Sequence, residues 1–301
     1  MEVINLQQAK QIRFKDLSLA LGTFDGLHLG HMALINAVKQ GPGQSAVFTF
    51  DSLPADYFLG DHRPMRLQTL DEKINAFEKT GIDYLCIVHF DKKFAAIDKD
   101  RFTEMLKNTF SPVRIVTGYN YTYGREAKGD ADTIQKAGEQ LGFEVCVISP
   151  VISEGEPVSA TRIRECIEAG NVARVASLLG YCYSLTGKVG SGRRIGSSKL
   201  GFPTANLIAP PEKIIPLRGV YGVHVRVEDG LYKGVCNIGY NPTVSTGQHE
   251  TIEVHILGLD KDIYGQTISV FFEKRIRGER KFESLEALKA QIQRDIDSLN
   301  I

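Results

Sequence analysis

The sequence predicts two domains: an α/β domain built on a parallel sheet, then a compact antiparallel β-barrel that ends in a helix. Three observations predict this. Up to about residue 150, short β-rich apolar runs alternate with helical patterns, as strands of one parallel sheet do when helices connect and cover them. After Gly180 the texture changes to short strand-like runs punctuated by glycine and proline, as in a small barrel. The length of 301 residues suits about two domains of roughly 150 residues each.

In order, the first set of apolar runs is Leu17–Leu21, Ala46–Phe50, Tyr84–Phe90, Arg114–Thr117 and Glu144–Ile148. Helical stretches near 30–40, 70–80, 98–109 and 131–141 lie between them. Two more helical patterns follow, Ser159–Ala169 and Val172–Leu179, separated by Gly170-Asn171. The barrel strands are expected at Tyr183–Val189, Tyr221–Val227, Tyr232–Ile238, Thr251–Leu257 and Thr267–Phe272. Ser284–Ser298 closes the chain as an amphipathic helix with Leu285, Leu288, Ile292 and Ile296 on one stripe. The domains are therefore expected at 1–182 and 183–301, with no repeats and no low-complexity segment.

Composition excludes several classes of function. Hydrophobic content of 43% and charged content of 24% are those of an ordinary globular protein. With 36 basic and 36 acidic residues the net charge is zero, which gives no footprint for nucleic acid or an anionic membrane. Five cysteines, odd in number and scattered singly, argue against a disulfide framework and for a reducing cytoplasm. No signal peptide and no transmembrane span are expected.

The chemistry concentrates in Gly22-Thr23-Phe24-Asp25-Gly26-Leu27-His28-Leu29-Gly30-His31, between an expected strand and an expected helix. Strand, glycine-rich turn and helix bring backbone N–H groups and a helix N-terminus to phosphate. His28 and His31 add side-chain donors at the same point. Such glycines can be turn chemistry alone, and His-x-x-His can be half of a metal site, but no third ligand cluster stands nearby. Ser159 and Thr161 open a helix that also carries Arg162 and Arg164, a pattern that fits a capped helix as well as a phosphate contact. In Gly118–Arg125, aromatic residues alternate with polar ones: Tyr121 and Tyr123 offer ring faces and Asn120 offers an amide. Thr204 and Asn206 point the same way from an extended segment and supply hard oxygens of the kind Mg²⁺ and phosphate prefer.

The motif Gly-x-Phe-Asp-Gly-x-His-x-Gly-His resembles the signature of the nucleotidylyltransferase superfamily in the form used by prokaryotic FAD synthases, which join an FMN adenylyltransferase domain to a riboflavin kinase domain. The resemblance covers nearly the whole chain. Val158–Arg164 is similar to the family's Ser-Ser-Thr-x-x-Arg element, and Gly118–Gly124 to its Gly-x-Asn/Asp-Phe-x-Phe-Gly element with tyrosines for both phenylalanines. Gly201-Phe202-Pro203-Thr204-Ala205-Asn206 resembles the riboflavin kinase signature. Gly219–Val223, Asn237–Thr243, Glu250–His255 and Arg275–Phe282 follow in the family's order.

The resemblance implies a Rossmann-like nucleotidylyltransferase domain and a riboflavin-kinase-like barrel. ATP for adenylyl transfer would be held by Gly22, Phe24, Asp25, Gly26, Gly30, Ser159, Thr161 and Arg164, with His28 and His31 catalytic. Asn120, Tyr121 and Tyr123 would hold the flavin nucleotide. In the barrel, Thr204 and Asn206 would hold ATP with Mg²⁺, and Glu253 would be the general base. ATP, FMN and riboflavin would be substrates and FAD a product.

Two segments depart from the family. Phe50-Asp51-Ser52-Leu53-Pro54 lacks the histidines of the family's Phe-His-Pro-His-Pro turn, and the phosphate-cradling loop is altered over 192–200. Two other readings therefore stay open: an FMN adenylyltransferase with a degenerate kinase domain, and a non-catalytic flavin- or nucleotide-binding regulator. The oligomeric state is left open.

Overall fold

A computed structural model describes residues 1–60, 65–190, 201–228, 230–241 and 249–299. The altered loop at 192–200 and the Pro242-Thr243 pair lie outside the described residues.

The first unit, Met1–Ala160, is organised by side chains alternating across strands that are covered on both faces. Strands β1 (Glu2–Ile4), β2 (Ser18–Leu21), β3 (Ser45–Phe50), β4 (Tyr84–Val88), β5 (Arg114–Gly118) and β6 (Glu144–Ile148) form one sheet in the order β1-β4-β3-β2-β5-β6. Every neighbouring pair is parallel. Leu19, Leu21, Phe48, Cys86 and Ile115 belong to one core, while Ala20, Val47, Leu85 and Val116 belong to another. Helices α2 (Leu29–Lys39) and α4 (Leu70–Glu78) supply Leu34, Ile35, Val38 and Phe77 to the second core. Helices α6 (Lys99–Phe110) and α7 (Ala131–Leu141) supply Phe102, Leu106, Phe110 and Ile134 to the first.

The five expected strands and the four expected helices are present. Short elements escaped the sequence reading: β1, which pairs with β4 at the sheet edge, and helices α1 (Leu6–Ala9), α3 (Pro54–Leu59) and α5 (Lys92–Ala95). None is long enough to display a period. A two-stranded hairpin, β7 (Ile152–Ser153) with β8 (Glu156–Pro157), precedes α8 (Ala160–Glu168). Strand β2 lies between β3 and β5, so the order runs outward from it in both directions. A crevice is expected beyond the carboxyl ends of strands at such a reversal, and here the loops after β2 and β5 flank it.

The second unit spans Thr161–Ile301. After α9 (Val172–Leu179) come β9 (Ser184–Gly190), β10 (Ala205–Ile208), β11 (Gly219–Val227), β12 (Gly230–Asn241), β13 (His249–Ile256) and β14 (Thr267–Arg277). They form a closed barrel in the order β10-β13-β12-β11-β14-β9, antiparallel throughout. The expected boundary at 182/183 marks the change from helical to strand-like texture, and the packing unit begins earlier. Within it, the Ile167 carbonyl accepts the Leu217 N–H at 3.1 Å, and α9 packs along β14.

Helix α10 (Leu285–Asp297) differs in part from its expected stripe. Ile292 and Ile296 join Val220 and Val235 in a core, but Leu285 is 49% exposed. The helix meets the barrel through its C-terminal half, where Asp295 is 2% exposed and takes the Arg277 guanidinium at 2.9 and 3.0 Å.

Candidate active sites

His28 is the N-cap of α2, and its Nδ1 accepts the His31 N–H at 3.2 Å. Accepting there assigns the proton of the neutral ring to Nε2, where it can be donated. The His28 and His31 rings stack, with centroids 3.6 Å apart and 16° between planes. Burial, the facing His28 and the charge of Lys73 hold the His31 pKa well below the usual histidine value. His31 Nδ1 is buried with no hydrogen-bond partner among the described residues. A stacked imidazole pair at a helix N-terminus, with His31 held neutral and one of its nitrogens unmatched, is suited to donating hydrogen bonds to an oxyanion.

The turn that carries the pair is strained. Phe24 (φ 48°) and Leu27 (φ 37°) occupy the left-handed region with Gly26 (φ 89°) between them; for side-chain-bearing residues this costs about 1–3 kcal/mol each. The Phe24 ring is fully buried and packs 5.5 Å from Phe77 and 5.1 Å from His31. Phe24 therefore supports His31 from within the protein. Gly30 is needed for close approach, because a Cβ there would lie 3.1 Å from the His28 ring. Asp25 is 3% exposed, and its carboxylate accepts the N–H groups of Leu67 and Gln68 at 3.1 and 3.2 Å. It anchors the segment ahead of α4.

Lys73 was not anticipated from sequence. It is 4% exposed, and its Nζ donates to the carbonyls of Thr23 at 2.9 Å and Phe50 at 3.0 Å. Burial lowers its pKa to about 8, against the pull of Asp25. The available signal was a charged residue four positions before Phe77 on the apolar side of α4, where Lys73 and Phe77 are the buried residues. His89 was also missed. Its Nδ1 lies 2.7 Å from Asp51, bringing an imidazole from the end of β4 to the turn that lacks its own histidines. The Asp51 hydrogen bond raises the His89 pKa.

In the loop after β5, Asn120 is exposed and Tyr121 half-buried. Tyr123 is 7% exposed, packs 5.2 Å from Phe102 and hydrogen-bonds Thr133 at 3.3 Å. Its ring is part of the core, and it stacks on Tyr121 at 5.7 Å. Burial raises the pKa of both phenols. Ser159 lies immediately before α8, whose first turn includes Thr161 and Arg162; Arg164 follows in the second turn.

In the barrel, Glu253 pairs in register with Asn206 of β10 on one side and Asn237 of β12 on the other. Ile252 and Val254 are buried at 3% and 0%, so alternation puts Glu253 on the opposite face of β13. Half-burial raises its carboxyl pKa. Thr204 and Asn206 line a cavity of about 630 Å³ together with Gly190, Lys261, Asp262 and Tyr264. The His255 Nδ1 lies 2.7 Å from the Pro203 carbonyl and holds the segment leading into β10. Among the described residues no group of three His, Cys, Asp or Glu could hold a metal. A cation bound by one hydroxyl, one amide oxygen and substrate phosphates fits Mg²⁺, which keeps waters and shares phosphate ligands.

A family model described as FAD synthetase matches residues 10–162, and one described as riboflavin kinase matches residues 179–300. A bifunctional riboflavin kinase/FMN adenylyltransferase of Escherichia coli K12 is 35% identical over 297 residues, covering 97% of this chain and 93% of that protein. Its counterpart in Bacillus subtilis is 34% identical, covering 97% and 92%. A Streptococcus pneumoniae structure described as a macrolide-efflux protein superposes with a TM-score of 0.89 at 29% identity, covering 99% of this chain and 98% of that one. Among the described residues no helix is long and apolar enough to cross a membrane. Matched from end to end in both halves and in the same order, the chain belongs to the bifunctional riboflavin kinase/FMN adenylyltransferase family.

Proposed function

We propose that this chain makes FAD from riboflavin in two ATP-dependent steps. In the barrel, the terminal ribityl hydroxyl of riboflavin attacks the γ-phosphorus of ATP, giving FMN and ADP. Glu253 takes the hydroxyl proton, and burial that raises its carboxyl pKa makes it a better acceptor. Thr204 and Asn206 would hold the ATP phosphates with Mg²⁺, which when bound neutralises phosphate charge. In the α/β unit, an FMN phosphate oxygen attacks the α-phosphorus of a second ATP, and pyrophosphate leaves. That step needs in-line positioning and charge neutralisation more than covalent help. His28 and His31 donate to the phosphate oxygens, with Ser159, Thr161 and Arg164 as further phosphate contacts. Asn120 and Tyr121 contact the flavin nucleotide, and Tyr123 holds their loop. A cytoplasmic location fits five cysteines that are all unpaired.

The observation that carries the adenylyl-transfer assignment is the stacked His28–His31 pair with its unmatched Nδ1. Purified chain is incubated with FMN and ATP, and separately with riboflavin and ATP. FAD in the first tube and its loss by about 100-fold or more in His31→Ala are expected. Absence of FAD from the wild-type tube would refute adenylyl transfer. No FMN or FAD in the second tube would reduce the barrel to a flavin-binding appendage.

A further inference from the structure

A buried ammonium needs a reason. Of the three N–H donors on Lys73, two are taken by the carbonyls of Thr23 and Phe50. No carboxylate forms an ion pair with it among the described residues, although Asp25 and Asp51 attract it from a distance and Arg66 repels it. Thr23 belongs to the turn that carries the histidines, and Phe50 ends β3, the strand paired with β2. The ammonium thus bridges the carboxyl ends of two neighbouring strands beside the expected crevice. Its charge also reaches His31 and disfavours protonation there. A desolvated cation without a paired anion is costly, and a polyanionic ligand nearby offsets that cost.

We propose that Lys73 is a positioning residue for adenylyl transfer: its ammonium clamps the ends of β2 and β3 so that the Thr23–His31 turn keeps its shape, and its unneutralised charge attracts the nucleoside triphosphate. This rests on the adenylyl-transfer reading given above. Clamp and charge are separable. A neutral amine still has two N–H donors for the two carbonyls, so deprotonation removes the charge and leaves the clamp. The group loses its proton near pH 8, and the charged or titratable groups that act on it are Asp25, Asp51, Arg66 and His31.

The test uses the full chain and measures kcat/KM for ATP in FAD formation from FMN between pH 6.5 and 9.5, beside FMN formation from riboflavin. Wild type is expected to lose FAD formation as pH rises through about 8. Lys73→Gln is expected to run at least ~10-fold slower on a flat profile, with FMN formation from riboflavin unchanged. Wild-type rates in Lys73→Gln, or an alkaline limb that persists in it, would overturn the proposal. If Lys73→Gln does not fold, the wild-type profile decides: a limb near pH 8 supports the charge role and a flat profile refutes it. A wild-type chain that makes no FAD at any pH would instead refute the adenylyl-transfer reading itself.

Discussion

Two imidazoles stacked 3.6 Å apart repel one another when both are charged, and burial adds to that penalty. The two rings are therefore not charged together: His31 is held neutral, the orientation of His28 is set by the helix cap, and the strained Phe24–Leu27 turn holds the cap in place. At the other site the proposed acid–base chemistry falls to a single carboxylate, Glu253. Because Glu253 has a raised pKa, it stays protonated to a higher pH than an exposed glutamate. Its capacity as a base is then lost as pH falls through that raised value. FMN formation from riboflavin should decline on acidification from a pH above 4.5, while Glu253→Gln should abolish it at every pH and leave FAD formation from FMN intact. A pH–rate profile of each half-reaction checks this, and activity retained in Glu253→Gln would remove the residue from its role.

Elements matter here through the ends they present. Helix α4 begins with a reciprocal cap, Thr69 accepting the Glu72 N–H and the Glu72 carboxylate accepting the Thr69 N–H. Lys73 follows at once, so the cap also fixes the origin of the ammonium that reaches Thr23 and Phe50. Helix α10 is held to β14 by the Arg277–Asp295 pair, with Gln291 giving Asp295 a further bond at 2.7 Å. Removing one partner leaves the other buried and unmatched. Asp295→Ala should cost about 2 kcal/mol, below the fully buried range because the Arg277 side chain is 18% exposed. A lower unfolding midpoint by circular dichroism, with FAD formation from FMN unchanged, is expected. An unchanged midpoint would mean that the apolar contacts of Ile292 and Ile296 hold the helix without the pair.

At the scale of the whole molecule, two units with separate cores carry two half-reactions that share one compound, FMN, as product of the first and substrate of the second. His31→Ala and Glu253→Gln each interrupt one step, so neither variant alone should convert riboflavin to FAD. Mixed together, they should recover FAD synthesis at a rate that rises with protein concentration, read by chromatography of the flavins. A mixture that stays inactive while each half-reaction is intact would show that FMN does not leave the barrel that made it.

Much of this architecture was legible in the residues. Alternation of apolar runs with helical periods set the α/β order, because a strand covered on both faces is apolar along most of its length, as Leu17–Leu21 and Ala46–Phe50 are but for Ser18 and Thr49. Local rules also placed His28 at a strand-to-helix turn and Thr204, Asn206 and Glu253 on extended segments. Contacts between residues far apart in the chain could not be read that way. Lys73 reads as one charge on an amphipathic helix until α4 packs beneath β2 and β3, and the strand order that brings Asn206 and Asn237 to either side of Glu253 exists only once the barrel closes. Tyr123 looks like a ring available to a ligand until Phe102 and Thr133 enclose it. Periodicity and capping act over a few residues and are written in the chain; hydrogen bonds from Lys73 to carbonyls 50 and 23 residues away depend on which surfaces meet, and folding alone settles that.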